Sequence, residues 1–241
     1  MPLPFVWLTS VSMKLGPKGY LVIAVVALAA GGAVARSLWM GPWLLEKAAA
    51  RTAKRVSVEG LLRDGDMIFH TSRSRQSRAV QEATRSQWSH CGILAKRSGQ
   101  WLVYEAIQPV KSTPLAEWIA RGRENRIVVK RLRESVHKLS ATDLVKMDSV
   151  GKTFAGKSYD ALFGWSDERI YCSELIWKIY HRAIGVEIAP VQRLHEFDLT
   201  SPAVKILLEK RYGKNVPLQD SVVSPVAIYE SPLLETVFEN R

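Results

Sequence analysis

The stretch WSHCGILAKRSGQWLVYEAI, residues 88–107, contains two mostly apolar runs separated by a short polar connection. The runs 88–96 and 100–107 have the length and the apolar, aromatic and small residues of β-strands. The pair Ser98-Gly99 between them is typical of a hairpin turn. The stretch therefore predicts an antiparallel β-hairpin.

Each predicted strand carries one residue that a buried strand rarely contains, His90 in the first and Glu105 in the second. A four-residue loop, 96–99, would pair position 90 directly with position 105. A two-residue turn at Ser98-Gly99 would pair His90 with Ile107 and leave Glu105 diagonal on the same face, whereas a three-residue loop would put the two side chains on opposite faces. Two of these three loops predict that His90 and Glu105 lie side by side.

Cys91 follows His90 and, because side chains alternate along a strand, points to the opposite face. A buried cysteine behaves as a small hydrophobic residue. We interpret Cys91 as a core residue that takes no part in the chemistry.

The flanking segments predict an α+β fold. Short or apolar strands are expected at 67–70 and 126–132, and a final extended segment at 221–231. Helices are expected at 114–122, 140–156, 172–185 and 201–213, and a weakly helical segment at 74–86. Because the helices and strands are partly segregated along the chain, we expect an antiparallel sheet packed against helices, without alternating βαβ units.

Cys172 lies in the first turn of the helix predicted from YCSELIWKIYHRAIG, residues 171–185. The partial positive charge at a helix N-terminus lowers the pKa of a thiol and favours a reactive thiolate. Inert cysteines also occur at such positions. Cys172 is thus a candidate nucleophile that needs a base.

Five histidines could supply that base. His181 lies nine residues along the same helix, about 13 Å from Cys172 along the axis, which is too far for contact. His137 and His195 lie in polar segments that resemble loops, and His70 ends a short strand and remains possible. His90 interrupts an apolar strand and has Glu105 as a potential orienting partner, so we favour His90 as the base.

Composition limits the other classes of function. The 241 residues carry a formal net charge of +11 and are 47% hydrophobic, which fits a globular domain that can bind an anionic partner. The sequence lacks a zinc finger, an RNA-binding aromatic motif and a convincing helix-turn-helix, so we expect no nucleic-acid partner. Its two cysteines form neither a disulfide framework nor a zinc motif, and we expect no metal and no cofactor.

The segment GYLVIAVVALAAGGAVA, residues 19–35, lacks any charged residue and is preceded by lysines. It fits a secretory signal or a single membrane-spanning helix. The small residues at its end favour export, whereas the basic residues that follow it favour a cytoplasmic orientation. We predict a signal peptide or membrane anchor with a linker over 1–58, a hydrolase domain over 59–241, and a location in the bacterial cell envelope.

Five motifs together give the sequence a family resemblance. They occur in the order GDMIF (65–69), WSHCGIL (88–94), YEA (104–106), GKSYDALF (156–163) and YCSELIWKIY (171–180). In this order they resemble the YiiX-like family, a circularly permuted branch of the NlpC-type, papain-like cysteine hydrolases. Lecithin–retinol acyltransferase-like proteins share the permutation. The resemblance covers about 60–229 and departs from the family pattern at Cys91, where an apolar residue is expected.

The resemblance implies a permuted papain-like fold with a barrel-like sheet and the nucleophile at a helix N-terminus. It implies that Cys172 is the nucleophile, His90 the base and Glu105 the orienting group. Tyr159 is expected to line the substrate cleft, or else to be a packed core tyrosine. Asp66 is expected to fix the turn before the first strand.

We therefore expect a cysteine amidase or peptidase that cleaves an amide bond in cell-envelope peptides through an acyl-enzyme. Two alternatives remain open. One is a lipid-directed acyl hydrolase or acyltransferase of the same fold. The other is a non-catalytic, membrane-associated binding module in which the three residues are structural.

Overall fold

The structure is a computed structural model that describes residues 58–74 and 76–240. The apolar segment 19–35 lies outside this part of the chain, so its expected role in export or anchoring stays a prediction, as does the division into 1–58 and 59–241. Within the described residues, no helix combines the length and the apolar character needed to cross a membrane.

The centre of the fold is a six-stranded antiparallel sheet. Its strands are β1 (Met67–His70), β2 (His90–Arg97), β3 (Gln100–Glu105), β4 (Lys111–Pro114), β5 (Val128–Leu132) and β10 (Leu234–Glu239). They lie in the order β10-β5-β1-β2-β3-β4, and each neighbouring pair is antiparallel. Two short ladders lie outside this sheet: β6 (Ser158–Tyr159) with β7 (Arg169–Ile170), and β8 (Gln192–Arg193) with β9 (Ser221–Val222).

In the described part of the chain, six α-helices accompany the strands. They are α1 (Ser77–Thr84), α2 (Leu115–Arg121), α3 (Ala141–Lys152), α4 (Cys172–Ile184), α5 (Pro202–Tyr212) and α6 (Pro225–Tyr229). Short 3₁₀ turns occur at Arg123–Asn125 and Leu194–Glu196. The elements predicted at 114–122, 140–156, 172–185 and 201–213 are thus confirmed as helices, with ends shifted by a few residues.

The sheet is covered on both faces, and the strand alternation decides which residue faces which layer. Cys91 and Ile93 belong to the same apolar cluster as Leu175 of helix α4. On the opposite face, Leu94 belongs to a second cluster with Trp118 of helix α2. Helix α4 is therefore held against one face of β2, and this contact places its N-terminus next to the start of that strand.

The predicted α+β fold is confirmed, but the barrel-like closure is wrong. Strands β10 and β4 are the two edges of the sheet and are not paired with each other. Strand β4 ends at Pro114, which lacks the N–H that a further ladder hydrogen bond would need, and helix α2 begins at the next residue. The sheet is therefore open.

The C-terminal segment also differs from the prediction. The expected extended segment 221–231 contains only the two-residue strand β9, after which the chain forms helix α6. The Ser224 hydroxyl accepts a hydrogen bond from the Ala227 N–H, and Pro225 occupies the first helical position, so this segment has the N-terminal features of a helix. Strand β10 was not predicted.

Gly92 is needed for the close contact between β2 and β3. A Cβ atom at this position would lie 2.4 Å from Val103 Cγ1 and 2.9 Å from the Tyr104 carbonyl oxygen. The carbonyl belongs to the backbone of the paired strand, so it cannot move aside without disturbing the hairpin. The glycine thus permits the close pairing that places His90 near Glu105.

We predict that Gly92→Ala lowers the free energy of unfolding by about 1–3 kcal/mol, because the added methyl group overpacks the hairpin. Urea-induced unfolding of the full-length chain measures this change. Gln100→Ala, an exposed position on the neighbouring strand, is the matched control and should change the free energy by less than about 0.5 kcal/mol. Equal stability of Gly92→Ala and the wild type would show that the hairpin accommodates the methyl group.

Candidate active site

Cys172 is the first residue of helix α4 and is 4% exposed. The Tyr171 N–H donates to the Glu174 carboxylate across the first turn, at 3.3 Å, which is one half of a capping box. The helix therefore begins at the residue expected from the sequence. Its positive end lies at the thiol.

The hairpin brings His90 and Glu105 together through the two-residue turn. Arg97 pairs with Gln100 across Ser98-Gly99, and both turn residues have positive φ, 50° and 81°. His90 Nε2 lies 2.6 Å from Glu105 Oε2. The second of the three loop alternatives is thus the one observed.

Glu105 is completely buried, and three groups surround its carboxylate. One oxygen contacts His90, and the other accepts hydrogen bonds from Thr113 Oγ1 at 2.6 Å and from the guanidinium of Arg121. Burial alone would raise the pKa of Glu105, but His90, Thr113 and Arg121 hold it below its usual value. The carboxylate is therefore charged at neutral pH.

His90 also interacts with Cys172, and the two groups change each other's pKa. Burial would lower the pKa of His90, but the charges and hydrogen bonds of Cys172 and Glu105 raise it to about 9. The pKa of Cys172 lies well below its usual value. A hydrogen bond from the Cys91 thiol and the positive charge of His90 cause this shift and outweigh the burial of the thiol. The arrangement favours a thiolate next to an imidazolium.

Cys91 has a larger part in this site than the sequence indicated. It lies on the face opposite to His90 and is fully buried in the core cluster of α4, as predicted. Hydrogen bonding by its thiol and by its backbone N–H contributes to the lowered pKa of the Cys172 thiol. Burial, followed by the interaction with Cys172, raises the pKa of Cys91 well above its usual value, so Cys91 stays a neutral donor.

Tyr159 lies next to Cys172, and both line the same cavity. The Tyr159 hydroxyl accepts a hydrogen bond from Gln76 Nε2 at 2.6 Å, and Arg211 donates to Gln76 Oε1 at 2.7 Å. Burial and the neighbouring charge of Cys172 raise the pKa of Tyr159, so the phenol is neutral. Tyr159 is thus a packed residue that also lines this cavity, and its expected contact with substrate stays a prediction.

The remaining histidines have other contacts. His70 lies beside His90 and stacks on Trp118, and burial lowers its pKa, so it is neutral. His137 contacts Asp143, and His195 contacts the Leu218 carbonyl. His181 stacks on Trp177 of the same helix, α4.

Asp66 has the structural position expected of it. Its carboxylate accepts hydrogen bonds from the Arg63 N–H at 2.8 Å and from two nitrogens of Arg131, each at 2.7 Å. These contacts close the turn before β1 and attach it to β5.

Four residues of the site were not predicted from the sequence: Thr113, Arg121, Gln76 and Arg211. Each is a common polar residue in a segment without a distinctive motif. Thr113 and Arg121 reach Glu105 only because β4 pairs with β3 and α2 follows directly. The signal that could have indicated them is Glu105 itself, because a buried carboxylate needs more than one partner.

Three comparisons relate this chain to known proteins. A family model described as "Permuted papain-like amidase enzyme, YaeF/YiiX, C92 family" matches residues 61–238. A relative from Escherichia coli strain K12, described as "Uncharacterized protein YiiX", is 47% identical over 173 residues, which cover 72% of this chain and 84% of the relative. A solved structure described as "Crystal structure of metalloprotein yiiX from Escherichia coli O157:H7, DUF1105" is similar with a TM-score of 0.70 and 46% identity, over 74% of this chain and 97% of that chain.

The Escherichia coli protein of that solved structure is described as a metalloprotein. Metal sites in proteins are built from several converging histidine, cysteine or carboxylate ligands. Over 58–74 and 76–240 of the present chain, no group of three or more such side chains is placed to hold an ion. The described residues therefore do not fit a metal centre.

The family match includes the hairpin, the Cys172 helix and the cavity next to it. It confirms the resemblance to the YiiX-like proteins and supports a cysteine hydrolase at the level of the family description. The relative and the solved structure are similar to this chain over 84% and 97% of their own lengths, respectively. The chain belongs to the permuted papain-like amidase family C92.

Proposed function

We propose that the protein is a cysteine amidase that cleaves an amide bond through an acyl-enzyme on Cys172. The observation that carries the proposal is the position of His90, whose Nε2 lies 2.6 Å from the buried carboxylate of Glu105 and whose charge lowers the pKa of the Cys172 thiol. A nucleophile, a base and an orienting group in contact are the arrangement that acyl transfer needs.

In this proposal Cys172 is the nucleophile and His90 holds its proton. The mutual pKa shifts favour the ion pair before substrate binds. Because Nε2 of His90 is engaged by Glu105, Nδ1 is the nitrogen available to the thiol. Glu105 is then the positioning residue that fixes the tautomer and stabilises the imidazolium.

The N-terminus of helix α4 supplies donors for the oxyanion. The Leu175 N–H makes a backbone hydrogen bond to the Tyr171 carbonyl at 3.0 Å, so the N–H groups that precede it in the helix, starting at Cys172, are not used by the helix ladder. Donors of this type stabilise the negative charge that develops on the carbonyl oxygen. Tyr159 accepts from Gln76, so its own hydroxyl proton can be donated to the substrate.

The reaction has two steps. The thiolate forms a C–S bond to the carbonyl carbon, the amide C–N bond breaks, and the amine leaves with the proton from His90. Water then adds to the thioester, the C–S bond breaks, and the carboxylic acid leaves while the proton returns to the Cys172–His90 pair. The bond is proposed to belong to a cell-envelope amide, in keeping with the export expected from residues 19–35.

We predict that wild-type protein incubated with acetyl p-nitroanilide forms an acetyl adduct on Cys172, detected by intact-mass and peptide mass spectrometry. Cys172→Ala should form no adduct and release no p-nitroaniline, because the nucleophile is absent. Val145→Ala, at a position of helix α3 that is 69% exposed, is the matched control, since it retains the nucleophile and its partners. An absence of adduct in all three proteins, with no alkylation of Cys172 by iodoacetamide, would leave the binding-module alternative.

We predict a bell-shaped dependence of kcat/KM on pH. The lowered pKa of Cys172 keeps the thiolate at pH values well below the ordinary thiol pKa of about 8.5, so the acid limb lies below that value. The alkaline limb should lie near the His90 pKa of about 9, because the neutral imidazole cannot protonate the leaving amine. A single limb that rises near pH 8.5 would contradict the preformed ion pair.

We predict that Glu105→Gln lowers kcat/KM by roughly 10²-fold, because an amide cannot stabilise the imidazolium. Glu105 also raises the pKa of His90, so the alkaline limb should move to lower pH in this variant. Glu117→Gln, on the exposed side of helix α2, is the control and should keep both the rate and the profile. A loss of rate without a shift of the alkaline limb would indicate a purely structural role for Glu105.

A further inference from the structure

Three aromatic rings lie together at the proposed base and form a ring stack: those of Trp118, His70 and His90. The ring centroids of His70 and Trp118 are 3.9 Å apart, with an angle of 24° between the ring planes. The His90 centroid lies 5.2 Å from that of His70 and 6.0 Å from that of Trp118. All three residues are buried, so the imidazole of His90 is packed against aromatic surface.

The fold assembles the ring stack from two elements besides the strand of the base. His70 of β1 pairs directly with His90 of β2, and directly opposed residues of neighbouring antiparallel strands have their side chains on the same face of the sheet. Trp118 comes from helix α2, which covers one face of the sheet, and its indole stacks on His70. The ring stack therefore connects the proposed base to both β1 and α2.

Gly122 brings the backbone that follows helix α2 close to the His70 ring. A Cβ atom at this position would lie 3.0 Å from His70 Nδ1 and 3.2 Å from the Cβ and Cγ atoms of His70. These distances are shorter than ordinary contacts between carbon atoms. The absent side chain thus leaves space for the imidazole, which is restrained by Trp118 and by this backbone.

His70 is neutral, which suits a position beside a charged imidazole. Burial, followed by the positive charges of His90 and Arg121, lowers the pKa of His70 to about 2. Its Nδ1 has no hydrogen-bond partner among the described residues. A buried nitrogen without a partner costs free energy that an apolar side chain of similar size would avoid. A histidine at this place therefore points to a role beyond filling the core.

We propose that His70 and Trp118 are positioning residues, which fix the ring of His90 and stabilise its charged form. A cation within about 6 Å of an aromatic centroid is attracted by the π-electrons of the ring, most strongly by those of an indole. Both rings lie at such distances from His90. The inference rests on the proposed function, because there His90 must hold a proton for the leaving amine.

The other groups around His90 also act on its charge. Glu105 on β3 and Cys172 at the start of α4 both raise its pKa. Arg121 at the end of α2 donates to Glu105, and Cys91, the next residue of β2, stays neutral because its own pKa is raised. None of these groups is removed when only residue 70 is replaced, so substitutions at this position test the ring stack itself.

We predict that His70→Leu lowers the pKa of His90 by about 0.5–1 unit, whereas His70→Phe changes it by less than about 0.3 unit, because phenylalanine retains an aromatic face. NMR titration of the full-length protein, labelled with ¹³C in the histidine rings, measures this pKa. The signal of His90 is assigned from its loss in His90→Gln. His195→Leu, the same replacement at an exposed histidine, is the matched control and should leave the pKa of His90 unchanged.

A second variant, Gly122→Ala, keeps both rings and moves one of them. Its methyl group would press on the His70 ring, so it should also lower the pKa of His90. Circular dichroism shows whether each variant is folded. The inference is overturned by an unchanged pKa of His90 in folded His70→Leu, or by equal shifts in His70→Leu and His70→Phe. If His70→Leu does not fold, an unchanged pKa in Gly122→Ala overturns it.

Kinetics with acetyl p-nitroanilide separate this inference from the proposed function. The alkaline limb of kcat/KM should move to lower pH in His70→Leu and stay in place in His70→Phe, whereas a merely structural role would lower the rate without moving the limb. Normal acetylation of Cys172 with an unchanged pKa of His90 in His70→Leu would remove only this inference. A lowered pKa of His90 in this variant, without acetylation of Cys172 in the wild type, would remove only the proposed function.

Discussion

The burial of the Glu105 carboxylate is the constraint on which the site depends. A charge with no solvent exposure is tolerated only when several donors surround it. Here the donors come from His90 on the neighbouring strand, from Thr113 on the other neighbouring strand and from Arg121 at the end of helix α2. Three separate elements are thereby held around one side chain, so the orientation of the imidazole is a consequence of the fold.

The sequence predicted the parts of this arrangement that depend on local pattern. The turn residues and the alternation in β2 and β3 restricted the His90–Glu105 pairing to a few registers, and the helix start marked Cys172. Thr113 and Arg121 could not be predicted, because their positions depend on the pairing of β4 with β3. The open sheet was missed for the same reason, since closure depends on how distant strands meet.

Cys91 shows how a correct prediction can be incomplete. Alternation placed it on the core face, and the structure agrees. However, strand β2 begins at His90, and helix α4 begins next to that end of the strand. The pKa of the Cys172 thiol is therefore lowered by the imidazole of the first strand residue and by the thiol and N–H of the second. His90 and Cys91 lie on opposite faces of β2, yet both stabilise the Cys172 thiolate, because the thiolate lies at the end of this strand.

The groups that activate the thiol and the groups that line the cavity come from different parts of the chain. His90, Cys91 and Glu105 belong to the central hairpin, where a change of side chain would disturb buried charges. The cavity is lined mainly by helices α1 and α5 and by the segment between β8 and α5, whose apolar residues can change in size without exposing a charge. The physical cost of altering the hairpin is thus higher than the cost of altering the lining, which favours one central hairpin with a variable cavity next to it.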